Sequence, residues 1–163
     1  MIWFDTFQSP FCGFTTLALV GDKHGLQALK LLKENEPFKT ENHWHRNPDF
    51  FRNVQQQLIA YAKGDLESFD VPLNPQGTQF QKNVWQALQT IPYGKTVTYQ
   101  QIAEQIGKPK SYRPVGNANN KNPIPIIIPC HRVTPKNGNL GGYAYGTRLK
   151  SQLLELESNH LND

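Results

Sequence analysis

Apolar and polar positions alternate along the first third of the chain, and the spacing then turns helical. Residues 2–7 alternate, and Ser9-Pro10-Phe11-Cys12-Gly13 makes a turn. Residues 14–20 form a second run rich in β-branched and apolar side chains, which predicts a strand. Gly21-Asp22-Lys23-His24-Gly25 is a further turn signal. Residues 26–32 fit a third strand or a short helix, since a brief apolar run does not separate the two. A polar stretch covers 33–45. Asn47-Pro48 then pairs an N-cap residue with proline at the first helical position. Phe51, Val54, Leu58 and Tyr61 recur behind it at helical spacing, and Gly64 ends the run.

Residues 70–77, with prolines at 72 and 75, read as a linker, and the pattern changes after it. Thr78-Gln79-Phe80-Gln81 is a capping box, in which threonine and glutamine each satisfy an N–H that the helix leaves open. Phe80, Val84, Leu88 and Ile91 form one apolar stripe, and Pro92-Tyr93-Gly94 stops it. Thr98-Tyr99-Gln100-Gln101 is a second capping box, opening a helix with Ile102, Ala103 and Ile106 inside and Gly107 at its end. A third short helix is predicted around Ser111-Tyr112-Arg113-Pro114-Val115. Its start is expected after Arg113, because a residue preceding proline avoids helical geometry. Two helices joined near Gly107 have a helix-turn-helix outline, whose second helix reads DNA, although many such pairs bind nothing. Residues 124–128 read as a buried strand, and 150–157 as an amphipathic segment. The pattern as a whole predicts an α+β chain: a small N-terminal α/β domain over 1–72, then a mostly helical C-terminal domain over 73–163.

Composition narrows the setting. The 163 residues suit one compact domain or two small ones. Hydrophobic content of 37% and charged content of 18% favour a globular chain over a disordered one. No run approaches the roughly 18 apolar residues of a membrane span. The N-terminus has no basic stretch before an apolar core, so no signal peptide is expected. Two cysteines are too few for a disulfide framework, which favours a reducing, intracellular setting. The net charge of +4 is unevenly placed. Residues 1–72 hold seven Lys/Arg against nine Asp/Glu, whereas 73–163 hold ten against four. A basic C-terminal half suits a polyanion partner and equally serves solubility.

Ile128-Pro129-Cys130-His131-Arg132-Val133 carries the candidate chemistry. A free cysteine is most often a buried packing residue. A zinc site needs three or four Cys/His ligands at short local spacings, and Cys12, His24, His43 and His45 fit no such pattern. Cys-x-x-Cys, the dithiol redox signature, is absent. A nucleophile needs a base to take its proton, and His131 is adjacent. In an extended segment the two side chains point to opposite sides, so a bridging water rather than direct contact is anticipated. A carboxylate would orient the imidazole, and Glu155 or Glu157 could reach it. The loop Gly141-Gly142-Tyr143-Ala144-Tyr145-Gly146 lets backbone approach a flat ligand and offers rings to stack on it.

These residues together resemble the O6-alkylguanine-DNA alkyltransferases, the methylated-DNA–protein-cysteine methyltransferases. The likeness runs from Gly77 to Glu157. It takes in Gly77-Thr78, Phe80-Gln81, Val84-Trp85, Ala87-Leu88, Ile91-Pro92-Tyr93-Gly94, Thr98-Tyr99, Ile102-Ala103, Arg113, Val115-Gly116, Ala118, Asn122-Pro123 and the Pro129–Val133 core. The N-terminal third is similar in style only. The resemblance implies an RNase H-like N-terminal domain, a three-stranded sheet plus a helix. It implies repair of O6-methylguanine, and of O4-methylthymine, by a single irreversible transfer to the protein, with no cofactor and no metal among the site residues, zinc in the N-terminal domain being left open. Cys130 resembles the alkyl acceptor, His131 the water-bridged base, Glu157 the acid that orients it and Asn122 the residue that holds the turn. Tyr99, Val133, Tyr143, Ala144 and Tyr145 fall where the family lines its guanine pocket. Arg113 resembles the arginine that replaces the extruded nucleotide. Ser111, Tyr112, Ala118 and Arg132 join it as expected DNA contacts. The implied partner is double-stranded DNA entered from the minor groove, bound by a monomer with cooperativity left open. The compartment is cytoplasmic for a bacterial source and nuclear for a eukaryotic one.

Tyr112, Pro114 and Tyr145 depart from the family's usual small residues. Tyr145 predicts a narrower pocket that takes methyl better than benzyl. Two other classes stay open at this level: a binding module that flips damaged guanine without chemistry, and a Cys-His-Glu hydrolase.

Overall fold

The structure is a computed structural model that describes residues 1–161. The chain divides into two compact units, Met1–Pro75 and Gln76–Asp163.

In the first unit, β1 (Trp3–Gln8), β2 (Thr16–Asp22) and β3 (Gly25–Leu32) form an antiparallel meander. Residues 26–32 therefore resolve to a strand. Its backbone completes a ladder with β2, and Leu26, Leu29, Leu31 and Leu32 are buried. A fourth strand, β4 (His45–Arg46), runs parallel to β1 and gives the sheet order β3-β2-β1-β4. The sequence pattern announced three strands. β4 is two exposed residues joined to the edge by main-chain bonds, and such pairing leaves no periodicity to read. Helix α1 (Pro48–Ala62) starts where Asn47 accepts the Phe50 amide at 3.2 Å. It buries Phe51, Val54, Leu58 and Tyr61.

The second unit carries α2 (Gln79–Leu88), β5 (Val97–Thr98), α3 (Tyr99–Gln105) and α4 (Tyr112–Asn120). A 3-10 turn (Cys130–Arg132), β6 (Val133–Thr134) and α5 (Thr147–Leu161) follow. Both capping boxes form in full: the Thr78 and Thr98 hydroxyls each accept an N3 amide at 3.1 Å, and Gln81 and Gln101 return the bond. Trp85 of α2 is 2% exposed and donates its indole N–H to the Ala118 carbonyl of α4 at 2.9 Å. A Cβ at Gly77 would lie 2.6 Å from that indole ring, so only glycine lets the chain enter α2 here. The parallel pair β5–β6 joins the segment before α3 to the one after the 3-10 turn.

Helix α4 begins at Tyr112, earlier than expected, and Arg113 is helical despite the proline after it. Pro114 sits in the first turn, where no amide has an intrahelical acceptor, so the proline removes no bond.

Candidate active site

Cys130 does not end a strand. Residues 124–128 fold back on themselves through Ile128 N to Ile124 O at 2.9 Å and Ile127 N to Pro125 O at 2.9 Å. Prolines 123, 125 and 129 remove the amides a ladder would use. Ile126 is held at φ 74°, a left-handed conformation that a β-branched side chain resists. Asn122 closes the loop, donating to Ile128 O at 2.7 Å and accepting from Ile124 N at 2.9 Å. The loop delivers Cys130 into a single 3-10 turn. With about three residues per turn, consecutive side chains there diverge by roughly a third of a circle rather than to opposite faces.

His131 is fully buried, and its Nε2 lies 2.6 Å from Glu157 Oε2 on α5. The same carboxylate takes Arg132 through Nε at 2.8 Å and Nη2 at 3.1 Å, and Gly94 N at 3.2 Å. Glu157, not Glu155, is thus the orienting acid; Glu155 is exposed. Burial alone would raise the Glu157 carboxyl, but the bonds from His131 and Arg132 override it and hold it at about 2. Burial lowers His131 below its ordinary value against the pull of Glu157, leaving a neutral imidazole at neutral pH. Its Nδ1 is buried without a protein partner and is the ring nitrogen left to accept a proton.

The Cys130 thiol is pushed up to about 11 by burial. Asn122, Lys150 and Tyr143 work in the opposite direction, each favouring the thiolate. The resting residue is therefore a thiol that needs a base. Tyr99, the first residue of α3, is half-buried; burial and then Cys130 raise its phenol, so it keeps its proton and stays a donor. Tyr143 is buried, with the Tyr145 ring 6.4 Å away and tilted by 60°. Ala144 is exposed between them, and Val133 is buried.

Two expected DNA contacts are corrected by burial. Arg132 is 7% exposed and spends its guanidinium on Glu157 and on Ile91 O at 2.7 Å. Ala118 is 3% exposed, with its carbonyl bonded to Trp85. Arg113 and Tyr112 are exposed on the first turn of α4, and Ser111 caps that helix without a side-chain bond.

Lys150 gives no sequence signal as a site residue, yet its side chain is fully buried, and Nζ donates to Val133 O at 2.7 Å and Gly142 O at 3.1 Å. It thereby ties the turn that carries Cys130 to the loop that carries Tyr143. Gly141 makes room: a Cβ there would lie 2.6 Å from the Pro135 ring. The nearest thing to a signal lies in 150–157, where Lys150, Leu153 and Glu157 share one face, so two charged residues occupy a buried stripe. Burial lowers the ammonium to about 8. Lys150→Met is expected to raise the Cys130 titration and slow its alkylation by iodoacetamide about tenfold near neutral pH, because the nearby cation is lost. In the wild type that support is present below about pH 8 and fades above it. A pH profile of alkylation that is identical in the two proteins would remove Lys150 from the site.

Among the described residues, no group of three or more His, Cys, Asp or Glu is placed to hold a metal ion. No described helix is long and apolar enough to cross a membrane.

Cys130 and the carboxylate-held His131 share one 3-10 turn, on a unit whose exposed helix turn presents arginine, a combination suited to group transfer on a polyanion. Residues 79–159 match the DNA binding domain of 6-O-methylguanine DNA methyltransferase, and residues 2–75 match its ribonuclease-like domain. The chain belongs to the 6-O-methylguanine DNA methyltransferase family. The methylated-DNA–protein-cysteine methyltransferase of Methanosarcina mazei is 55% identical over 145 residues, covering 89% of this chain and 92% of that protein. The Methanosarcina barkeri protein of the same name is 50% identical, covering 98% of this chain and 99% of its own. A crystal structure of Mycobacterium tuberculosis OGT in complex with DNA is 44% identical, with a TM-score of 0.86, covering 97% of this chain and 94% of that one.

Proposed function

We propose that this chain performs its family's reaction with Cys130 as the methyl acceptor. It is a methylated-DNA–protein-cysteine methyltransferase, and it repairs DNA by moving the methyl group of O6-methylguanine onto a cysteine of its own. The observation that carries the assignment is the 2.6 Å contact of Glu157 with His131, a neutral imidazole on the same 3-10 turn as the buried Cys130 thiol. His131 Nδ1 takes the thiol proton through a bridging water, and Glu157 stabilises the imidazolium that results. The thiolate attacks the methyl carbon. A C–S bond forms, the C–O6 bond breaks, and its electron pair stays on guanine. Tyr99, kept protonated, donates to the base as that charge develops. A thioether is a poor leaving group, so each molecule reacts once.

The methyl lies inside the duplex, so the nucleotide has to be extruded. The pair α3–α4 acts as a helix-turn-helix, with the first turn of α4 in the minor groove. Arg113 fills the gap, and Ser111 and Tyr112 flank it. Exposed Lys108, Lys110, Lys121 and Lys136 extend the basic surface. Such binding reads phosphates and groove shape more than sequence, which suits a lesion that can occur anywhere.

The test is the mass of the Cys130 peptide after mixing the protein with a duplex containing O6-methylguanine. One methyl per molecule on Cys130 supports the assignment. Tight binding without modification would make the chain a flipping module instead, and turnover of a peptide a hydrolase. Arg113→Ala should slow duplex repair at least tenfold while weakening bulk binding only slightly, and equal repair rates would remove the finger role. Tyr145 lies against Tyr143, whose ring borders Cys130. Tyr145→Gly is therefore expected to speed inactivation by O6-benzylguanine severalfold with little change on methyl. No gain on the benzyl compound would show that Tyr145 leaves pocket width alone.

A further inference from the structure

The second unit has a cleft of about 460 Å³ lined by Tyr99, Gln100, Glu104, Tyr112, Pro135 and Lys136 among others. Tyr99, on its lining, is also close enough to Cys130 to feel its charge. Tyr112 is 46% exposed, more than any other large apolar side chain among the described residues of this unit. It is the first residue of α4, and the Arg113 guanidinium lies 5.9 Å from its ring centroid. One helical turn therefore offers an aromatic ring with a cation over it, at a cleft that a second phenol and an ammonium also line. A planar ring attached to a phosphate fits that chemistry. Glu104 also lines the cleft and repels any anion there, so the aromatic rings rather than the charge favour a planar base.

We infer that Tyr112 is a stacking residue for nucleotide extrusion: its ring covers a base beside the flipped guanine while Arg113 occupies the gap. Extrusion strips the neighbouring bases of a stacking partner. An aromatic ring restores one without reading sequence, because every base has a π-face. The inference deepens the role proposed above for Arg113 and rests on that reading of α4.

The experiment measures inactivation by two substrates, a duplex carrying O6-methylguanine and free O6-benzylguanine, which needs no extrusion. Tyr112→Ala and Tyr112→Leu should each react about tenfold more slowly with the duplex, ~1.4 kcal/mol in the barrier. Both should keep the wild-type rate on the free base, and Tyr112→Phe should match the wild type on both. A 2-aminopurine next to the lesion should brighten on binding of Tyr112→Ala more than on binding of wild type, because its stacking partner is gone. A Tyr112→Ala duplex rate within about twofold of wild type would overturn the inference. So would equal losses on duplex and free base, which would make the ring part of the pocket wall, or a Phe variant as slow as Ala, which would assign the effect to the hydroxyl. Arg113→Ala run alongside separates the two readings. If it repairs duplex normally while Tyr112→Ala does not, the finger role fails and the stacking role stands.

Discussion

A Cys130→Ser protein is expected to transfer no methyl at all, while binding a duplex that carries O6-methylguanine as tightly as the wild type. Displacement at a saturated carbon favours a polarisable sulfur anion over an oxygen one. The base beside it is also suited to a thiol and not to an alcohol. Burial already lifts the Cys130 thiol to about 11, and His131 is weakened by the same burial. A serine hydroxyl, far less acidic, would leave His131 with no usable driving force. The fold should be untouched. The Cys130 carbonyl, not its side chain, closes the 3-10 turn to Val133 N and accepts Asn119 Nδ2 at 3.4 Å. Stability should therefore stay within about 1 kcal/mol of wild type. Peptide mass and duplex affinity read out the two halves of this expectation. A methyl found on the serine variant, at Cys12 or elsewhere, would give the acceptor role to another residue; Cys12 is an exposed thiol at a turn of the first unit.

Glu157→Gln should cost both stability and rate. The glutamine is nearly the same shape but brings an amide N–H₂ to a place where Arg132 and Gly94 both donate. The Arg132 guanidinium would remain buried without its counter-charge, at a cost of about 3–5 kcal/mol. His131 would lose the group that stabilises its protonated form, and methyl transfer should fall at least a hundredfold, within the range of a lost acid–base contribution. The pH dependence follows from the same contacts. Glu157 is held at about 2 in the fold against 4.5 when free, so its contribution is present above pH 4.5 and lost as pH falls towards 2. The shift corresponds to ~3 kcal/mol. His131, lowered from 6.5, adds loss of the same sign that begins at milder acidity, because the unfolded chain binds its proton first. Urea unfolding across that pH range should show a steep acid decline in the wild type and a shallower one in Glu157→Gln. Parallel curves would mean that the ion pair is not what the acid breaks.

The elements with local signals are legible in the sequence alone. Both capping boxes, the Asn47-Pro48 start of α1 and the stripes of α1 and α2 depend on neighbours within a turn, so spacing suffices to predict them. The errors fall where distant partners decide. An Ile-rich run predicts a strand until its prolines and Asn122 are seen to close a loop. Proline at 114 argues against an early start for α4 until its place in the first turn makes it harmless. The two residues of β4 have no periodicity, since the β1 edge specifies them.

The site divides in the same way. Sequence alone picks out Cys130 and His131, because they are adjacent in a motif, and it offers Glu155 and Glu157 as equal candidates on one segment until the resemblance favours Glu157. Only the tertiary structure shows that Glu157 faces inward to bind His131 and Arg132 together. Only the structure turns Arg132 from a surface cation into a buried partner, and reveals Lys150 buried on the Val133 carbonyl that follows the Cys130 turn. Residue type and local spacing are written along the chain. The desolvation that makes His131 neutral, Lys150 a weak acid near pH 8 and Cys130 a thiol awaiting its base exists only once α5 has packed against the turn that holds them.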